Sequence, residues 1–379
     1  MSSRRSLLFV TGTRADFGKI EPLALAARDA GHNVSFFVTG MHMLPSYGLT
    51  KLEVHRIPGV RVVEFLNQRE QDSQDIVFAK TLLAFSDYIQ VDTPDLVIVH
   101  GDRVEAMAVA FVCATNYVRC AHIEGGEVSG TIDEIFRHCN TKLAYCHLVS
   151  SEAARRRVAN MGEADDAIHV IGSPELDTHA RPSGVTLSEV RERYEISFSE
   201  YGIVIFHPVT SEADSMLHQA HHLFKALQMS SKKFVVIKPN NDPGSKSIQK
   251  VIEPLPKSQF RVLPSMRFAH FSELLRNASA IVGNSSTGVR EAPFLGIPSL
   301  DVGTRQTRRT QSDSVHQIDA TDQSGILKFL DRKWALRFSA CKEFGQGQAA
   351  DKFVTLLNSA TFWNKTLQKY FCESTESKP

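Results

Sequence analysis

The chain is poor in cysteine, in net charge and in long apolar runs, and each shortage removes a class of function. Six cysteines in 379 residues (Cys113, Cys120, Cys139, Cys146, Cys341 and Cys372) are too few and too scattered for a disulfide scaffold. No CxxC pair occurs, and Cys139 and Cys146 are too far apart for the usual zinc-ligand spacing, so no metal site is expected. Lys and Arg total 43 against 42 Asp and Glu, a formal charge of +1. Neither nucleic acid nor an anionic membrane is therefore an expected partner, and any anion site must be local. The apolar run Leu7–Val10 is too short for a signal-peptide core, and Gly12 and Arg14 follow at once. No stretch approaches the ~20 apolar residues of a membrane span. A cytoplasmic protein with reduced thiols is expected. GxSxG and HExxH are absent, which disfavours serine-nucleophile and zinc-dependent hydrolysis.

What is present is ordinary in bulk, with 42% hydrophobic and 22% charged residues, as in soluble globular chains. At roughly 100–200 residues per domain the length predicts about two domains. Short apolar runs at Leu7–Val10, Val34–Val38, Val60–Phe65, Leu96–Val99, Cys120–Ile123, Leu148–Ser150 and Ile168–Ile171 alternate with helical patterns such as Ile76–Val91 and Val104–Tyr117. Continuous apolar strands alternating with helices predict a parallel sheet covered on both faces. From Gly172 to about Glu200 the chain turns polar, with Pro174, Pro182 and Gly184, which predicts an interdomain connection plus one exposed helix. The cadence then resumes at Ile203–Phe206, Phe234–Ile237, Arg261–Leu263, Ala280–Val282 and Ser299–Val302. The expected fold class is α/β with two Rossmann-like doubly wound domains. The expected boundaries are 1–175 for the first domain, 176–350 for the second, and 351–379 for a helix returning to the first domain plus a tail.

Such folds bind ligands beyond the carboxyl ends of their strands, in a cleft where two domains meet. Strand one runs into Thr11-Gly12-Thr13-Arg14-Ala15-Asp16-Phe17-Gly18-Lys19. A glycine turn ahead of a helix offers N–H groups to an anion, and Arg14 and Lys19 add charge. An ordinary strand-to-helix turn with surface cations accounts for the same residues. The turn is neither GxGxxG nor a P-loop. The next strand ends read His100-Gly101-Asp102-Arg103 and His122-Ile123-Glu124-Gly125-Gly126-Glu127. Asp102 suits a functional loop carboxylate and also a helix N-cap. After Glu124, Gly-Gly allows close approach of backbone or ligand. Asp133 and Arg137 share a helix face, as do Glu134 and His138, a spacing that serves surface pairs as readily as a site.

In the second half, His207 closes a strand as a candidate acid, base or phosphate donor, whereas His218, His221 and His222 read as solvent-facing. Asn240 lies in the turn-rich loop Lys238–Lys246. The strongest local signal is Gly283-Asn284-Ser285-Ser286-Thr287-Gly288-Val289-Arg290-Glu291. Its hydroxyls and N–H groups at a helix start suit a diphosphate, and Glu291 can accept two hydroxyl hydrogen bonds from a ribose diol. N-capping explains one of these serines but not the cluster. Gly303-Thr304-Arg305-Gln306 brings another cation.

In this order, these motifs resemble the hydrolysing UDP-N-acetylglucosamine 2-epimerases of sialic acid synthesis, and more distantly the non-hydrolysing UDP-N-acetylglucosamine 2-epimerases. The match spans about Leu7 to Arg309. The run Glu-Gly-Gly-Glu-Val-Ser-Gly (124–130) resembles the hydrolysing branch, whereas the other branch typically has Glu-Ala-Gly-Leu-Arg. The resemblance implies a GT-B arrangement with the site in the cleft. It implies Asp102, Glu124, Asp133 and His207 as the catalytic group, with Arg137 nearby, and Arg14, Ser285, Ser286, Glu291 and Arg305 as uridine diphosphate ligands. Lys19 and Asn240 are assigned to the same nucleotide. The implied reaction eliminates UDP to a glucal, then hydrates it to N-acetylmannosamine, with no cofactor or metal and with a homodimer or homotetramer as the assembly. Rival readings are the same chemistry on UDP-N,N'-diacetylbacillosamine or a GDP-sugar, a GT-B glycosyltransferase, and a non-catalytic nucleotide-sugar sensor.

Overall fold

A computed structural model describes residues 4–70, 72–129, 131–239 and 244–373. The chain divides into two compact units. One comprises Met1–Glu127, Asp133–Asp177 and Phe344–Pro379, and the other Val128–Ile132 and Thr178–Glu343. Unit 1 is built on seven strands, β1 (Ser6–Thr11), β2 (Asn33–Val38), β3 (Arg61–Glu64), β4 (Leu96–His100), β5 (Cys120–Ile123), β6 (Cys146–Val149) and β7 (Ile168–Val170). They pair in parallel in the order 3-2-1-4-5-6-7. Alternate residues of one strand feed opposite faces, as the period of two requires. Leu7 and Phe9 join Phe17, Ile20 and Leu23 of the helix Arg14–Asp29, whereas Leu8 and Val10 join Phe85, Ile89, Val109 and Val112. Phe353, Leu357, Phe362 and Trp363 complete the first cluster, so the C-terminal helix Ala349–Leu357 packs on the core beside Arg14–Asp29.

Unit 2 repeats the plan with β8 (Gly202–Ile205), β9 (Phe234–Ile237), β10 (Phe260–Leu263), β11 (Ile281–Gly283), β12 (Ser299–Val302) and β13 (Val315–Ile318), all parallel in the order 10-9-8-11-12-13. Both sheets are therefore Rossmann-like and doubly wound, as the sequence pattern predicts. Each reverses its strand order at one place, β1/β4 in unit 1 and β8/β11 in unit 2, and ligands bind α/β sheets at such reversals.

Three local readings need correction. β13 was not expected, because His316 and Gln317 interrupt its apolar pattern and it pairs on one side only, with β12. β6 begins at Cys146 rather than Leu148, because a fully buried His147 hides the start of the run. The stretch after Gly172 is more than a connection with an exposed helix. Val190 of the helix Leu187–Tyr194 is buried with Ile196, Phe198 and Tyr201 in the core of unit 2. One valine among charged residues is too sparse a pattern to announce that packing.

Candidate active site

In unit 1 the site residues gather where β1, β4 and β5 end. Asp102 follows Gly101 at the end of β4. It does not cap the next helix, whose N-cap is Arg103 with no side-chain capping bond. Its carboxylate is instead held by the Arg137 guanidinium, which also donates from Nη1 to the Glu127 carbonyl at 3.3 Å. Arg137 is 2% exposed, so the surface-pair reading of Asp133 and Arg137 does not hold for the arginine. The pair Glu134–His138, 3.6 Å apart, does lie at the surface. Asp133 is half-buried and opens the helix Asp133–Leu143 that carries Arg137.

Glu124 directly follows β5 with φ +71, a left-handed backbone that costs a non-glycine residue roughly 1–2 kcal/mol. Its Oε2 sits 2.9 Å from His100 Nε2 and 3.4 Å from Lys19 Nζ, and all three side chains are largely buried. Lys19 thus faces a carboxylate in this structure. Beneath them His122 places Nε2 2.7 Å from the Gly101 carbonyl, which also accepts from Asn140 Nδ2 at 3.0 Å. Burial pushes the His122 imidazole down to about 3, so it stays neutral and fixes the loop before Asp102. Gly126 serves packing rather than a ligand. With φ +75, a Cβ there would lie 2.3 Å from the Ala154 carbonyl oxygen. Arg14 gives two N–H groups to Glu53.

In unit 2 the site residues stand where β8, β11 and β12 end. Gly283 is indispensable there, because a Cβ would lie 2.0 Å from the Ile205 carbonyl oxygen at φ +133. The close approach lets the Asn284 amide clamp His207 from both sides. Its Oδ1 accepts the His207 N–H at 2.7 Å and its Nδ2 donates to the His207 carbonyl at 2.8 Å. The Asn284 carbonyl in turn accepts from Arg305 at 3.3 Å and Gln306 at 2.9 Å. Burial, with Arg305 adding repulsion, pushes the His207 imidazole down to about 3.

Ser285 is the N-cap of a short helical turn, accepting from the Thr287 N–H at 3.3 Å, and Ser286 opens that turn. The expected single helix is broken at Arg290 into Ser286–Val289 and Glu291–Phe294. Glu291 is 3% exposed and accepts from Thr287 Oγ1 at 2.9 Å. Asn240 lies outside the described residues. His218 and His221 are exposed, and His222 is half-buried against Gln323. Among the described residues no helix is long and apolar enough to cross a membrane.

Comparison with known proteins decides the family. The family model for UDP-N-acetylglucosamine 2-epimerase matches residues 25–358. A UDP-N-acetylglucosamine 2-epimerase of Neisseria meningitidis serogroup B is 40% identical over 374 residues, 97% of this chain and 99% of its own. The chain belongs to the UDP-N-acetylglucosamine 2-epimerase family. A UDP-N,N'-diacetylbacillosamine 2-epimerase (hydrolyzing) of Legionella pneumophila is 31% identical over 375 residues, covering 96% of this chain and 98% of its own. Among solved structures, a Methanocaldococcus jannaschii UDP-GlcNAc 2-epimerase in complex with UDP-GlcNAc and UDP matches the fold with a TM-score of 0.78 at 16% identity, over 93% of this chain and 99% of that one.

For this 2-epimerase family member, reading by motif missed three buried polar groups next to the predicted ones. Asp301 on β12 is 4% exposed, and burial pushes its carboxyl up to about 7 against the pull of Arg309 and Arg305. An aspartate inside the apolar run Ser299–Val302 was a visible signal. His100, 2.9 Å from Glu124, stands in the motif 100–103 with no local pattern to mark it as part of the site. His179 lies in the polar stretch taken for a connection and carried no signal at all.

Proposed function

We propose that this chain is a hydrolysing 2-epimerase that converts UDP-N-acetylglucosamine and water to N-acetylmannosamine and UDP. In the first stage a base takes the proton from C2 while the C1–O bond to UDP breaks, giving a glucal. In the second, water supplies a hydroxyl to C1 and C2 is reprotonated from the other face. The C2 proton is not beside a carbonyl, so elimination depends on stabilising the leaving diphosphate. Ser285, Ser286, Arg305 and Asn240 are assigned to that task and Glu291 to the ribose. Arg14 joins them on condition that its pair with Glu53 opens. His207, neutral near pH 7, contacts the diphosphate or protonates the leaving oxygen. Asp102, Glu124 and Asp133 share the proton transfers. Lys19 is reassigned as the counter-charge of Glu124. One carboxylate is held by a guanidinium and another faces an amine and an imidazole, so two proton-transfer candidates sit in different surroundings.

The observation that carries this reading is Glu124. A left-handed backbone at a buried, charge-paired carboxylate is a feature that clusters at active sites. Release of the free sugar is supported by the run 124–130 and by relatives named as hydrolysing, from Legionella pneumophila and Campylobacter jejuni. The test is proton NMR of the protein with UDP-N-acetylglucosamine in deuterated water. N-acetylmannosamine deuterated at C2, with free UDP, is expected. UDP-N-acetylmannosamine would instead place the protein in the non-hydrolysing branch. The Legionella relative favours a second reading, the same chemistry on UDP-N,N'-diacetylbacillosamine. A higher kcat/KM for that nucleotide would establish it.

A further inference from the structure

Glu291 does not stand alone. Its Oε2 lies 2.6 Å from Nε2 of His179, whose Nδ1 lies 2.8 Å from Oγ of Ser272. Ser272 is 0% exposed, His179 1% and Glu291 3%. The sequence Ser–His–carboxylate mimics a nucleophilic triad, but the geometry runs the wrong way. A nucleophilic serine must meet substrate, and here the serine is the fully buried end of the relay. What the relay does is aim the carboxylate. An ionised carboxylate only accepts, so Nε2 carries the hydrogen in either charge state of the ring. A ring flip would set carbon atoms against both Glu291 and Ser272. Arg276 holds the His179 carbonyl at 2.7 Å, and the Phe268 ring packs edge-on at 5.4 Å between centroids. Thr287 fixes the other oxygen, Oε1, at 2.9 Å. A carboxylate oxygen has two lone pairs, so it can accept from a ribose hydroxyl as well as from a protein donor.

We infer that His179, backed by Ser272, is a positioning residue that orients Glu291 to accept the ribose hydroxyls of the nucleotide, and so makes the protein select ribonucleotides over 2'-deoxyribonucleotides. This rests on the proposed role of Glu291 as ribose ligand. Buried partners that lock a ligand-binding side chain into one rotamer are what such precision requires.

The test is calorimetric titration of the full-length protein with UDP and with 2'-deoxy-UDP. The wild type should prefer UDP by about tenfold or more, the worth of a well-made buried hydrogen bond. In His179→Phe, UDP should bind about tenfold more weakly while 2'-deoxy-UDP changes little, so the preference collapses. His179→Gln, which restores an N–H near the Nε2 position, should recover most of it. Ser272→Ala, a smaller change made in case His179→Phe does not fold, should lower the preference by roughly two- to fivefold with 2'-deoxy-UDP unaffected. Equal weakening of both nucleotides would mean a merely structural histidine and would overturn the inference. If the wild type discriminates and Glu291→Gln abolishes this, yet the His179 and Ser272 variants still discriminate, only the inference fails. If the wild type shows no preference, or Glu291→Gln retains one, the ribose role of Glu291 fails and the inference with it.

Discussion

At the scale of single residues, the chemistry depends on polar groups whose partners leave them few alternative states. Asp133 opens the helix that also supplies Arg137 to Asp102. Asp133→Asn should lower release of N-acetylmannosamine by about 10²–10⁴-fold, the usual worth of a proton-transfer group. UDP binding, measured by calorimetry, should be largely unchanged, and full turnover would remove Asp133 from the catalytic group. His207 makes a second prediction. Its folded pKa of about 3 lies below the ordinary histidine value, so the stability it lends is present above about pH 6.5 and lost as pH falls toward 3. Its ring resonances in a carbon–proton NMR titration should stay flat from pH 8 to 5. A step near pH 6.5 would mean that the ring is not desolvated, and His207 would return as a cationic phosphate ligand.

At the scale of elements, the C-terminal segment is tied to the helix that begins at Asp133. Lys369 donates to the carbonyls of Lys142 at 2.9 Å and Ala144 at 2.6 Å, at the carboxyl end of the helix that begins at Asp133. The same amine pairs with Glu163 at 2.6 Å, as do Lys142 at 2.7 Å and the buried His147 at 2.9 Å. Burial by itself would raise the Glu163 pKa, but hydrogen bonds from His147, Lys142 and Lys369 outweigh it and bring it to about 2. A carboxylate whose pKa is lowered on folding stabilises the fold above its unfolded value and loses that contribution as pH falls through the folded one. Glu163→Gln should therefore cost on the order of 2–3 kcal/mol at pH 7 in urea unfolding. The difference from wild type should shrink between about pH 4.5 and 2. A difference independent of pH would show that the carboxylate acts through packing alone.

At the scale of the whole molecule, each unit has its own two-faced sheet and its own tryptophan, Trp363 in unit 1 and Trp334 in unit 2. Phe353→Ala removes a fully buried ring from the unit 1 core, a loss of about 3–5 kcal/mol. In a Trp334→Phe background, the unfolding midpoint reported by Trp363 should drop accordingly. In a Trp363→Phe background the Trp334-reported midpoint should move far less, and equal shifts would show that the two cores unfold as one. Much of this plan was legible in the sequence, because parallel strands buried on both faces must be continuous apolar runs and the polar residues that end them stand out. Strand placement, the two doubly wound sheets and the clusters at 100–103, 122–127 and 283–291 follow from that local contrast. Edge strand β13 and the buried His147 did not stand out, because their patterns are mixed. What the tertiary structure alone decided is which charges meet. Arg137 finds Asp102 across 35 residues and Lys19 finds Glu124 across 105. A buried ion pair has no local signature in the chain. Its partners need only each other's charge and a dry place to meet, and strand order and helix packing choose that place.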